Sequence, residues 1–272
     1  YASPEDIARI RAQLGLDQPL YIQFTTWIGQ LAHGDLGVSI FSNLPVSQLI
    51  MQRIEPTLSL AFFTLTIAIV VAVPVGVLAA WKAGSWIDRG VMAFSVLGFS
   101  TPVFVLGYAL IYFFSLKLNF FPVQGYTSIS EGLWPFLHRL ILPSVTLSVI
   151  FIALFARITR ASVMEILEED YIRTARAKGL SNRTVLMRHA LRNAAVPIIT
   201  VIGIGFALLI GGVVVTESVF NIPGLGRLTV DAVLRRDYPV IQGIILVFSA
   251  TYVLVNLIID ILYVALDPRI RY

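Results

Sequence analysis

The sequence contains no cysteine, so neither a disulfide nor a thiolate metal site can form. Its three histidines, His33, His138 and His189, stand far apart and lack metal-ligand spacing. Charge is scarce: Asp, Glu, Lys and Arg supply 13% of the residues, about half the share in a soluble domain. No Gly-x-x-x-x-Gly-Lys-Ser/Thr loop is present to cradle phosphates, and GLGRLT at Gly224–Thr229 lacks both the spacing and the lysine. His-Glu-x-x-His, Gly-x-Ser-x-Gly and paired aspartates within apolar runs are also missing, which argues against an intramembrane hydrolase. The net charge of +4 is small, and its basic residues are placed as membrane topology requires, so no nucleic-acid partner is expected.

What the chain has in abundance is apolar sequence: 57% of its residues are hydrophobic and its mean hydropathy is +0.83. Five runs, residues 56–80, 90–116, 140–156, 193–216 and 238–259, carry no charge and suffice, or nearly so, to cross a bilayer. The expected fold is an all-α polytopic membrane protein with five transmembrane helices. The third run is the shortest and is expected to rely on Arg139 and Arg157 snorkelling at its two ends. Eight of the twenty Lys and Arg lie between Arg157 and Arg192, and Lys82, Arg89, Arg269 and Arg271 fall in the other connections on the same side. Basic short loops stay cytoplasmic, so the C-terminus is expected inside and residues 1–55 outside. An external start with an odd span count predicts one further span upstream, which would make six.

Two segments are therefore expected: an external amphipathic helical stretch, 1–55, and a transmembrane domain, 56–272, with a cytoplasmic loop at 157–192. In the first, Ser3-Pro4-Glu5-Asp6 reads as a helix start and Gly15 as its end. Leu20, Phe24, Trp27, Ile28 and Leu31 recur at helical spacing, and either pack on the spans or lie on the membrane surface. Within the spans, Pro74 and Pro102 remove backbone donors and bend helices. Gly203, Gly205, Gly211 and Gly212 give the fourth run a face open to close approach. These six positions are the candidates for a translocation path, with ordinary helix packing as the competing explanation. Asp260 lies about 12 Å from the midplane of the last span at 1.5 Å per residue, and is expected to have a structural partner rather than a transport role.

The loop 157–192 carries its own fold signals. ASVMEILEEDYIRTARAK is rich in helix formers, Gly179 fits a left-handed C-terminal stop, and Ser181 or Asn182 can cap a second helix, NRTVLMRHALRN. Glu165, Glu168, Glu169 and Asp170 would repel anionic lipid, so the loop is expected to meet a protein instead.

At this point the residues carry a resemblance. RTARAKG, followed by HALRN ten residues after Gly179, resembles the EAA-type coupling motif of permease subunits in ATP-binding-cassette importers. EDYIRTARAKGL, HALRNA, ESVFNIPGLGRL and RRDYPVIQG, with HGDLGVS and PTLSL upstream, are similar to the dipeptide/oligopeptide branch, and to the first of its two paired subunits. The resemblance spans essentially the whole chain. Arg173 stands where the motif usually has Glu, and Arg192 where other branches have Pro, so no ion pair of that Glu carries over.

The resemblance implies a non-catalytic, multi-pass subunit of the bacterial inner membrane that forms half of an import path. It implies a related second permease subunit, two cytoplasmic ATP-binding subunits that use ATP and Mg, and a periplasmic substrate-binding protein. No cofactor is expected on this chain. The cargo implied is di- or oligopeptides, with nickel complexes, glutathione or another small solute as alternatives; an ion-driven transporter is the weaker reading. The positions carried over to ATPase coupling are Glu169, Asp170, Tyr171, Arg173, Thr174, Ala175, Arg176, Ala177, Lys178, Gly179, His189 and Arg192. Pro223, Gly224, Gly226, Arg236 and Asp237 are the candidates for contact with the binding protein.

Overall fold

A computed structural model describes residues 11, 15 and 17–266. The helix start expected at Ser3–Asp6 and the tail bearing Arg269 and Arg271 lie outside the described residues. Among those described there is no β-strand, only an isolated bridge between Val38 and Pro45.

Helix α1 spans Leu20–Ala32 and buries none of its residues. Leu20, Tyr21 and Phe24 are exposed, so of the two expectations for this stretch the structure favours the surface helix.

Helices α2, Val46–Trp81, and α5, Leu133–Glu168, are each 36 residues long and form the most extensive helix pair among the described residues. Between them the second apolar run is not one continuous helix. It divides into α3, Trp86–Ser100, and α4, Val103–Leu110, which continues as a π-helical turn to Lys117. The two halves are bent by 102°. The cause is local: Thr101 sits before a proline and is extended (φ −88°, ψ 120°), as steric clash with the ring demands. Pro102 is extended too, at φ −60° and ψ 136°. Two successive extended residues break a helix rather than kink it. Among the described residues there are thus four helices able to span, or five if the broken pair counts as one.

The third run does not end where its charges begin. Instead, α5 continues through both arginines. The Arg139 Nη1 donates to the carbonyl of Gln124 at 2.9 Å. Beyond α5 come α6, Asp170–Ala177, a turn of α-helix α7, Asn182–Thr184, and a π-helical stretch, Val185–Ala190, that runs into α8, Leu191–Val219. The expected pair of short cytoplasmic helices is therefore one short helix and an extension of the fourth span. Helices α9, Leu225–Arg235, and α10, Tyr238–Leu266, complete the chain. Asp260 is exposed on α10, and forms no ion pair among the described residues.

The main core joins Leu60, Ala68 and Ala72 of α2, Leu147, Phe151 and Phe155 of α5, and Leu209 and Val213 of α8. Gly205 and Gly212 of α8 serve this packing by the close approach expected of them. A Cβ at Gly205 would meet the Phe155 ring at 2.5 Å, and one at Gly212 would meet Leu147 at 2.8 Å. Gly203 faces Ile259 of α10 instead. Gly211 lies within the same helix. Pro74 lies within an unbroken α2, and Pro74 and Pro102 are both exposed. Because Phe155 is fully buried, its ring has nowhere to go. Gly205→Leu is expected to cost about 3 kcal/mol by overpacking, more than the roughly 1 kcal/mol of helix propensity gained. A thermal melt of the detergent-purified protein measures the difference.

Candidate functional site: the coupling segment and its two anchors

The segment after α5 is positioned by a break, a helix and a left-handed stop. Glu169 is extended (φ −63°, ψ 144°) and ends the long helix. Its carbonyl accepts from the N–H of Ile172 at 3.0 Å and of Arg173 at 3.3 Å, starting α6 in a new direction. Gly179 has φ +80°. Its N–H donates to the carbonyl of Arg176 at 3.0 Å and that of Leu180 to Ala175 at 3.3 Å, the paired bonds of a Schellman stop. The expected role of Gly179 and the cap by Ser181 are both present; the Ser181 hydroxyl accepts from the Thr184 N–H at 3.3 Å.

The sequence does not single out Ile172 as an anchor, and Ala175, expected among the coupling positions, is turned inward beside it. Ile172 is fully buried, Ala175 nearly so, and both meet Val185, with Ile166 and Leu167 closing the cluster. These apolar contacts fix one face of α6. The opposite face presents Arg173, Thr174, Arg176 and Ala177, and Lys178 follows, all exposed. Asp170 and Arg173 pair at 3.3 Å, but both side chains stand almost fully in solvent, where such pairs contribute little. Tyr171 accepts at its hydroxyl from Asn193 Nδ2 at 3.0 Å, and the same amide donates to the His189 carbonyl at 2.7 Å. Arg192 is exposed on the first turn of α8. The structure thus brings the predicted residues into one helix, its cap and the adjoining helix, with a basic surface free to be received.

A second anchor lies at the same end. Asp88, only 4% exposed, forms a bidentate ion pair with Arg160 of α5; Nη2 to Oδ2 is 2.8 Å, and Nε meets Oδ1. The Gly84 N–H also donates to Asp88, at 2.8 Å. The pair places the loop after α2 beside the coupling segment, so the two basic connections share one end of the bundle. A Ser85-x-x-Asp88 cap is visible in the sequence, but nothing in the spacing points to Arg160.

At the opposite end a second carboxylate is buried. Glu217 of α8 has no exposed surface. It accepts from Thr57 Oγ1 at 2.6 Å and the Arg227 N–H at 2.9 Å, while Thr57 accepts from the Leu225 N–H at 2.8 Å. A Cβ at Gly224 would fall on the carboxylate, and one at Gly226 would reach Val214 at 2.7 Å. These glycines are buried to admit the Glu217 side chain, not to meet a binding protein. Asp237 is buried as well, holding Ser39 Oγ at 2.6 Å and the Ile40 N–H at 3.2 Å. Of the five contact candidates, Pro223 and Arg236 remain on the surface. Among the described residues no three potential metal ligands gather.

The family model for binding-protein-dependent transport system inner membrane components matches residues 72–272. The chain belongs to that family. As an importer permease subunit, it is 54% identical over 271 residues to a Sinorhizobium fredii protein described as a probable peptide ABC transporter permease, covering 100% of this chain and 87% of the relative. It is 46% identical over 271 residues to the glutathione transport system permease protein GsiC of Escherichia coli K12, covering 100% and 86%. The permease also matches a structure of the inward-facing MetNI methionine ABC transporter, with TM-score 0.67 and 20% identity, over 81% of this chain and 97% of that one. That likeness shows the fold. The permease is a multi-pass protein of the inner membrane.

Proposed function

We propose that this permease forms half of an import path for di- and oligopeptides, pairing with a second, related permease subunit. Its coupling segment, residues 157–192, is received by one of two cytoplasmic ATP-binding subunits, which bind ATP and Mg and carry out all hydrolysis. A periplasmic substrate-binding protein delivers cargo to the opposite end, where residues 1–55 lie; the C-terminus is cytoplasmic and residues 56–272 form the transmembrane domain. The observation that carries this reading is α6: a short helix pinned by Ile172 and Ala175 with its basic face left bare. A surface so fixed can pass on a displacement because the packed element moves as a body.

The peptide relative named above supports the cargo, and the glutathione relative supports a small thiol peptide as the second reading. The test is ATP hydrolysis by the reconstituted complex, stimulated by its binding protein loaded with dipeptides, longer peptides or glutathione. Stimulation by peptides is expected; stimulation by glutathione alone would replace the first reading with the second. The permease purified by itself is expected to show no ATP binding in an equilibrium assay.

A further inference from the structure

On the outer surface of the bundle, beside the Asp88–Arg160 anchor, lies an open groove of about 350 Å³. Its walls are Val71 and Val75 of α2, Gly90 and Phe94 of α3, and Ile152 of α5, with Trp86 at its end. The walls come from membrane-depth helices and are apolar. Trp86 is 85% exposed, an aromatic at the place where interfacial aromatics gather. The Arg89 guanidinium lies 5.7 Å from the Trp86 ring centroid, and exposed Lys82 follows α2 at the same end. Asp88, the only acid nearby in sequence, is turned inward and neutralised by Arg160. With the Asp88 charge matched by Arg160, Arg89 and Lys82 leave this end of the groove with an excess of positive charge.

We infer that this groove is a binding site for an anionic phospholipid, one acyl chain lying against Gly90 and its phosphate held by Arg89 and Lys82. In the orientation proposed above, this end faces the leaflet that carries the anionic lipids. Gly90 is the residue that keeps the site open: a Cβ there would meet nothing within 4 Å. A larger side chain can therefore fill the groove without disturbing α3.

The test is fluorescence quenching by brominated lipid in vesicles holding the assembled transporter. Brominated phosphatidylglycerol and brominated phosphatidylcholine are compared at equal mole fraction, and the Trp86 signal is taken as the difference from a Trp86→Phe complex. Phosphatidylglycerol is expected to quench Trp86 more strongly. Arg89→Gln is expected to lower its apparent affinity about fivefold, the weight of one cation at a membrane surface. Gly90→Leu is expected to remove the excess quenching by phosphatidylglycerol over phosphatidylcholine while leaving assembly unchanged. Equal quenching by the two lipids would reduce the site to ordinary lipid contact and overturn the inference. Quenching by neither would mean that a neighbouring subunit covers the groove, and would overturn it too. Both leaflets carry the same lipid, so the outcome is independent of the proposed sidedness and of the cargo.

Discussion

Asp88→Ala is expected to destabilise the purified permease by about 3–5 kcal/mol, the cost of leaving a buried charge without its partner. Arg160 would be left facing the space the carboxylate had filled, and the Gly84 N–H would lose its acceptor. The ion pair at Asp170–Arg173 supplies the contrast: its side chains are 95% and 74% exposed, and its removal is expected to leave the melting curve unchanged. A double variant, Asp88→Ala with Arg160→Met, is expected to recover much of the loss, because replacing both partners removes the uncompensated charge. Melting temperatures of the three variants in one detergent decide the matter. Asp88→Ala melting with the parent protein would show that this anchor does not hold α3 to α5.

Gly179→Val is expected to abolish most ATP-driven uptake while the subunit still inserts and accumulates. At φ +80°, with nothing within 4 Å of the place a Cβ would take, the obstacle to a side chain is the backbone alone. A β-branched residue there costs roughly 1 kcal/mol or more. That is too little to unfold a bundle of this size, but enough to displace a two-bond helix stop. The turn would open, Ile172 and Ala175 would lose register with Val185, and the basic face of α6 would point elsewhere. Gly179→Asn is expected to keep much of the uptake, since Asn tolerates the left-handed region. Membrane level, co-purification of the ATPase subunits and uptake are measured together for both. Full uptake by Gly179→Val at normal membrane level would contradict the role given to α6.

Most of the span pattern is legible in the chain because lipid imposes length and apolarity on each helix. Residues 56–80, 193–216 and 238–259 fall inside α2, α8 and α10 for that reason. The third run misleads because hydropathy reports where lipid ends, not where a helix ends: α5 continues through the mixed residues 157–168, with Ile166 and Leu167 packed on Ile172 and Arg160 held by Asp88. Pro102 announces a distortion but not its size, which depends on Thr101 also becoming extended. Gly179 is legible since a left-handed stop leaves a glycine in the sequence. Ile172 is not, because one apolar residue in a basic segment has no period to reveal it. Glu217 looks like part of an exposed charged turn; its burial depends on Thr57, 160 positions away, and on two glycines whose missing side chains admit it.

The unbroken course of α5 has a mechanical consequence. At 1.5 Å per residue its 36 residues measure about 54 Å, against roughly 30 Å of hydrocarbon. It is a stiff rod that outlasts the bilayer, tied to α6 by a single extended residue at one end and packed on Gly107 through Thr146 farther along. A tilt of about 5° about one end of such a rod carries the other about 5 Å. Under the proposed function, a small tilt at the α6 end of this helix would be magnified at its other end, and the length of one helix would set the gearing.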